Sequence, residues 1–197
     1  MRRLVPLSAV VAALVWLSAP ARSETVFLEF DPGHTHIMFS VMHLGLSRTY
    51  GEFEDAEGRV VLDANRPQNA VVELTIDVAS LDSGLVARDE NLMGGSWFNV
   101  DDHPTMTFKA TGVDVMSDTA ATLTGDLTLL DITRPVSLDV TFNGTASDPF
   151  SSRTTRWGFS ASGVIKRSDF GMDFGLSFVG DEITLIIETE LLHRDDS

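Results

Sequence analysis

The 197-residue chain contains no cysteine. That excludes disulfides, thiolate nucleophiles, thiolate metal ligands and lipid attachment through a thiol, so stability has to come from packing. Bases are also scarce, 14 against 29 acids. Three of them (Arg2, Arg3 and Arg22) precede residue 24, so from there on 11 bases face 29 acids, a formal charge of −18 with histidine neutral. Such a surface repels phosphate backbones and anionic headgroups, which argues against nucleic-acid binding and tight membrane adhesion. No low-complexity tract, repeat or linker interrupts residues 24–197, which read as one domain. Catalytic signatures are missing as well: there is no G-x-S-x-G elbow, H-E-x-x-H helix or phosphate-cradling glycine loop. The chain therefore reads as a non-enzyme without a cofactor.

One long apolar run is present, LVPLSAVVAALVWL over residues 4–17. It follows Arg2 and Arg3 and precedes the small residues SAPARS, the three-part pattern of a secretory leader over residues 1–23, cleaved after Ala21 or Ser23. The run is short for a membrane span, and no second run approaches that length, although an N-terminal anchor is the alternative. A periplasmic or secreted protein without stable membrane insertion is expected.

Period-2 alternation dominates the rest. Val72, Leu74, Ile76 and Val78 share one face of a strand, and Met106, Phe108 and Ala110 one face of another. Leu123, Gly125, Leu127 and Leu129 alternate with polar residues, as do Val136, Leu138, Val140 and Phe142. Trp157, Phe159, Ala161, Gly163 and Ile165 form a further face, and Ile183, Leu185, Ile187, Thr189 and Leu191 the last. With strands near 25–31, 35–43 and 50–62 the total is eight or nine. Turn signals lie at 65–67, 118–119, 131–135, 143–144 and 179–181. Residues 84–95 suit a short helix, with Ser83 as N-cap and Gly94–Gly95 at its end.

Amphipathic antiparallel strands must hide both their apolar faces and their edges. A closed up-and-down barrel does both, and a two-sheet sandwich is the alternative. Small residues on the inward faces (Ala110, Gly125, Ala161 and Gly163) favour a barrel with room for one small ligand over a solid core. They also suit bends or bulges.

Three of five histidines lie in HTHIMFSVMH, beginning at His34. His34 and His36 share a strand face, and His43 faces the other way. A zinc site needs a third convergent ligand, for which His103, Asp101 or Asp102 are candidates, so a metal-dependent enzyme or sensor is one alternative. His193 sits in a polar tail. The face of Thr35, Ile37, Phe39, Val41 and His43 is apolar until its end, as expected of a strand lining an apolar barrel near its mouth.

The same segment carries a family likeness. Asp31, His34, Thr35, Ile37, Phe39, Val41, His43 and Gly45, followed by Gly51 and Phe53, resemble the opening of the YceI family of periplasmic lipid-binding proteins. Arg88-Asp89, Leu92, Trp97-Phe98 and Pro104 continue the likeness, as do Gly125, Leu127-Thr128 and Thr133 through Val136. Gly158-Phe159, Ile165, Arg167, Asp169-Phe170-Gly171 and Gly180-Asp181 complete it. Asn91, Trp97 and Asp131 depart from the usual His, Phe and Gly. The resemblance implies an all-β fold: a lipocalin-like eight-stranded antiparallel barrel whose apolar tunnel holds a polyisoprenoid lipid, such as an isoprenoid quinone or polyprenyl phosphate. On that basis Ile37, Phe39, Val41, Leu127, Leu129, Val140, Phe142, Trp157, Phe159 and Ile165 are expected to line the tunnel. His43, Arg88 and Arg167 are candidates to meet a polar head, Arg167 alternatively pairing with Asp169 to hold a turn. A solid-cored barrel that binds a protein partner is the remaining alternative.

Overall fold

The computed structural model describes residues 25–63 and 65–195, so the expected leader lies outside the described residues. The strands are β1 (Thr25–His43), β2 (Ser47–Phe53), β3 (Ala56–Asp63), β4 (Val71–Asp77), β5 (Leu81–Asp82) and β6 (Thr105–Val115). They continue with β7 (Ala120–Leu129), β8 (Ile132–Ser147), β9 (Thr154–Lys166) and β10 (Val179–Arg194). The helix α1 (Val86–Met93) lies between β5 and β6. β1 pairs with β3 on one edge and with β10 on the other, which closes the ring β1-β3-β4-β6-β7-β8-β9-β10. All its pairings are antiparallel. The fold is the expected eight-stranded barrel with one short helix, and closure excludes the sandwich.

Two segments differ from expectation around β1. Its two expected strands are one, interrupted by a bulge: Phe30 pairs with Leu191 but Thr35 with Thr189, so residues 31–34 loop out of the ladder. The expected strand over 50–62 is two, β2 and β3, which share one edge of β1 on opposite sides of that bulge. A single partner strand cannot follow both halves of a kinked strand. β5 then extends the sheet beyond β2 through Phe53 and Leu81.

The other departures concern turns and the helix cap. Asn143-Gly144 is a bulge inside β8, with Gly144 at φ 122°, and not a turn. An Asn-Gly pair supplies positive φ to either, and pairing with β9 carries β8 on to Ser147. Only Leu130 and Asp131 turn within 131–135 and its margin, and Pro135 lies inside β8. There β9 has not yet joined, since its pairing with β8 begins at Asp139, so the missing N–H falls at a local sheet edge. Residues 179–181 open β10. The N-cap of α1 is Leu85, without a side-chain hydrogen bond, and not Ser83. Ser83 instead donates its N–H and O–H to Asp89 in the first turn of α1, which places the helix start two residues later.

Outside the barrel, Arg156 on β9 ties the β1 bulge to its neighbours. Its guanidinium donates to Asp31, to Asp148 in the β8–β9 turn and to Glu190 on β10. Partial burial works to raise the Asp31 carboxyl, but hydrogen bonds from Arg156, His34 and the Gly33 N–H hold it below the usual range.

Inside, the two glycines among the small residues do not leave room. A Cβ on Gly125 would lie 2.3 Å from the Phe108 ring and 2.7 Å from the Lys109 carbonyl, and one on Gly163 would lie 2.8 Å from Leu138 and the Ser137 carbonyl. These glycines let neighbouring large side chains lie down on the sheet, which corrects the expectation that they open the barrel. Gly125→Ala should therefore cost about 1–3 kcal/mol through overpacking. Gly112→Ala, at a β6 site with no atom within 4 Å of an added Cβ, should stay within about 0.5 kcal/mol of neutral. Urea unfolding of both variants checks the contrast.

Candidate functional site

The alternating strands aim their apolar residues inward, yet the interior is not filled. A cavity of about 900 Å³ runs through the barrel, near the upper end for ligand pockets. Its lining reaches from the β6–β7 hairpin (Ser117 to Ala120) at one end to Ser83, Arg88, Asn91 and Leu92 at the other. Along β1 it extends from Phe30 to His43, roughly 30 Å once the looped-out residues 31–34 are discounted. Ile37, Phe39, Phe159, Leu185 and Ile187 point inward but are only half-buried, because they border this space. The cavity removes the solid-cored alternative.

All thirteen residues singled out in the sequence border the cavity. Ile37, Phe39, Val41 and His43 do so from β1, Leu127 and Leu129 from β7, and Val140 and Phe142 from β8. Trp157, Phe159 and Ile165 contribute from β9, with Arg88 and Arg167 at the helical end. Toward the β6–β7 hairpin end, Phe142 stacks near Trp157 and Phe159, with centroids at 5.7 and 5.2 Å. Nearer the other end Phe39, Phe53 and Phe98 form a second aromatic group, with separations of 5.5–6.4 Å. Phe53, Trp97 and Phe98 were missed in the sequence. Trp97 and Phe98 follow α1 in an irregular stretch where no periodicity assigns a face. Tyr50 on β2 and Phe178 in the loop before β10 also border the cavity.

The three polar candidates differ in how far they are engaged. Arg167 is 2% exposed. It donates to the carbonyls of Gly180, Met172, Phe174 and Val179 at 2.8–2.9 Å, and its guanidinium lies 5.2 Å from the Trp97 ring centre. Burial pulls its pKa down, opposed by the charges of Asp181 and Asp173. These carbonyls, and not Asp169, are its partners, and they fix the loop between β9 and β10. Arg88 donates to the hydroxyl and carbonyl oxygens of Ser83. The His43 side chain, exposed at the lip, has no hydrogen-bond partner among the described residues.

The other histidines do not converge. His34 contacts Asp31 at 2.8 Å on the outer bulge, His36 contacts Glu52 at 2.6 Å on the outer face, and His103 faces Asp131 at the β7–β8 turn. Asp31, His34 and Glu190 do bring ligand-type atoms within 4.8 Å of one another. The Arg156 guanidinium already supplies the cation there, donating to Asp31 and Glu190.

The closed barrel is shared with known proteins. The sequence model of the YceI-like domain matches residues 28–191. The chain belongs to the YceI-like family. A UPF0312 protein of Pseudomonas aeruginosa is 36% identical over 180 residues, covering 91% of this chain and 93% of its own. The crystal structure of Burkholderia cenocepacia BcnA superposes with a TM-score of 0.72 at 24% identity, over 82% of this chain and 98% of that one. A polyisoprenoid-binding domain from Saccharophagus degradans superposes with a TM-score of 0.60 at 12% identity, over 87% of this chain and all of that one. Asn91 borders the tunnel, as Arg88 does.

Arg167→Lys should destabilise this YceI-like barrel by about 3 kcal/mol in urea unfolding, because an ammonium cannot satisfy four fanned carbonyls and leaves buried acceptors unpaired. Stability within about 0.5 kcal/mol of wild type would contradict a structural role for this arginine.

Proposed function

We propose that the chain is a carrier that holds a polyisoprenoid chain, such as that of an isoprenoid quinone or polyprenyl phosphate, inside the barrel. The observation that carries this reading is the long apolar cavity of about 900 Å³. The polyisoprenoid-binding domain of Saccharophagus degradans, which shares the fold, supports it. The tail would lie among Phe39, Leu127, Val140, Phe159 and Ile165, and a polar head would meet His43 or Arg88 at the helical end. The leader-like segment over 1–23 supports action in the periplasm or outside the cell.

Covering apolar surface is worth about 0.8 kcal/mol per CH₂ relative to water, far more over a long chain than binding needs. The relevant competitor is the bilayer, which is equally apolar. A carrier needs only near-parity with the membrane, and a tunnel with few polar anchors provides it. No bond is made or broken in such a cycle, so no general acid, base or metal is required.

Mixing the protein with vesicles containing an isoprenoid quinone, then separating the two, tests the reading. Wild type should leave with close to one quinone per chain. Ala161→Trp, which sets an indole across the middle of the tunnel, should carry at least tenfold less at unchanged fold. Equal loading of the variant, or no loading of wild type, would overturn the proposal.

A further inference from the structure

A carrier of this kind must bring the mouth of its tunnel to a membrane, and one end of the barrel is built differently from the other. At the helical end, three loops surround the cavity: the β1–β2 turn, the segment before α1 and the loop before β10. Exposed large apolar side chains crowd there, among them Leu46 at 83% and Val86 at 73% exposure, with Leu44, Leu85 and Leu176 beside them. Leu44 N–H donates to the Phe178 carbonyl at 2.7 Å, and Phe178 packs on Phe174 at 6.1 Å, so two of the loops form one surface. Tyr50 and Phe178 belong both to this surface and to the cavity wall, so the apolar rim runs into the tunnel without a polar break.

Three short stretches of this rim carry no acid. Stretches 43–49, 83–88 and 174–180 contain no aspartate or glutamate, and Asp82, Asp89, Asp173 and Asp181 stand just outside the last two, while His43, Arg48 and Arg88 are present. Backbone strain supports the same end. Leu44 and Gly45 have φ of 53° and 69°, and Leu46 N–H donates to the His43 carbonyl, a tight turn of the primed type. Leucine is a costly occupant of that first position, where asparagine is favoured. The same conformation recurs at Leu130, but there the side chain packs against the core. Leu44 has no such return among the described residues.

We propose that this rim is a membrane-docking face, which seats Leu44, Leu46 and Val86 among lipid headgroups and acyl chains so that the tunnel opens onto the bilayer. The proposal rests on the carrier reading above. Acid-free stretches at the rim lessen the repulsion that the rest of the surface would meet at a headgroup layer, and exposed leucines and valine gain by entering it.

Flotation with phosphatidylcholine vesicles tests it, using residues 24–197 so that the apolar leader does not contribute. The protein should float with the vesicles, and Leu44→Asn/Leu46→Ser/Val86→Ser should reduce its partition at least tenfold. The triple variant should melt no lower than wild type, since asparagine relieves the turn and none of the three residues borders the tunnel. Phe150→Ser, which removes a 95%-exposed ring at the opposite end, should float like wild type. Absence of flotation, equal flotation of the triple variant, or a wild-type dimer that the triple variant dissociates without change in flotation would overturn the proposal. Quinone bound by the purified protein is scored separately. Cargo without flotation defeats docking alone, and flotation without cargo defeats the carrier reading while leaving the docking face.

Discussion

Closure of the sheet by β1 against both β3 and β10 is the constraint from which the rest follows. Once the ring is shut, every inward residue faces the same enclosed space, and the backbone groups of the first and last strands are satisfied by each other instead of by a second molecule. To close, β1 has to bend, and the looped-out residues 31–34 are where it does so. Their consequences spread outward: β2 and β3 divide one edge of β1 between them, and Arg156 gathers Asp31, Asp148 and Glu190 around the bulge. The chain has no disulfide with which to brace this arrangement, so ladder hydrogen bonds, ion pairs and packing carry it.

A barrel that keeps a cavity gives up part of the burial that a solid core would provide. The structure offsets this where the tunnel is not needed. Phenylalanine rings lie flat over glycines on adjacent strands, Phe39 over Gly51 and Phe108 over Gly125, so aromatic mass is packed against the wall. The loop between β9 and β10 is tied by the four bonds of Arg167, beneath which Trp97 and Phe170 are buried. Rigidity around the tunnel and space within it are thus supplied by different residues.

Much of this was legible in the sequence, because a period of two depends only on the backbone. Strands β4 and β6 to β10 and the faces of Ile37, Leu127, Val140 and Phe159 follow from alternation, and all of these residues border the cavity. What was not legible depended on contacts between distant segments. The bulge in β1 and the division of β2 from β3 are set by sheet closure. The Asn143-Gly144 pair carries the same conformational preference in a turn and in a bulge. Glycines at inward positions signal space when only one strand is considered, whereas Phe108 across the ladder takes that space from Gly125. Arg167 reads equally as a headgroup partner or a turn brace until the four carbonyls around it are seen.

The central claim is that the space inside the barrel is kept for a long apolar molecule. Native mass spectrometry of the protein isolated from its own cells without detergent tests it most directly. The account predicts an adduct of polyisoprenoid mass that is lost on denaturation. Protein at its bare sequence mass, or an adduct of the mass of a metal ion alone, would contradict it.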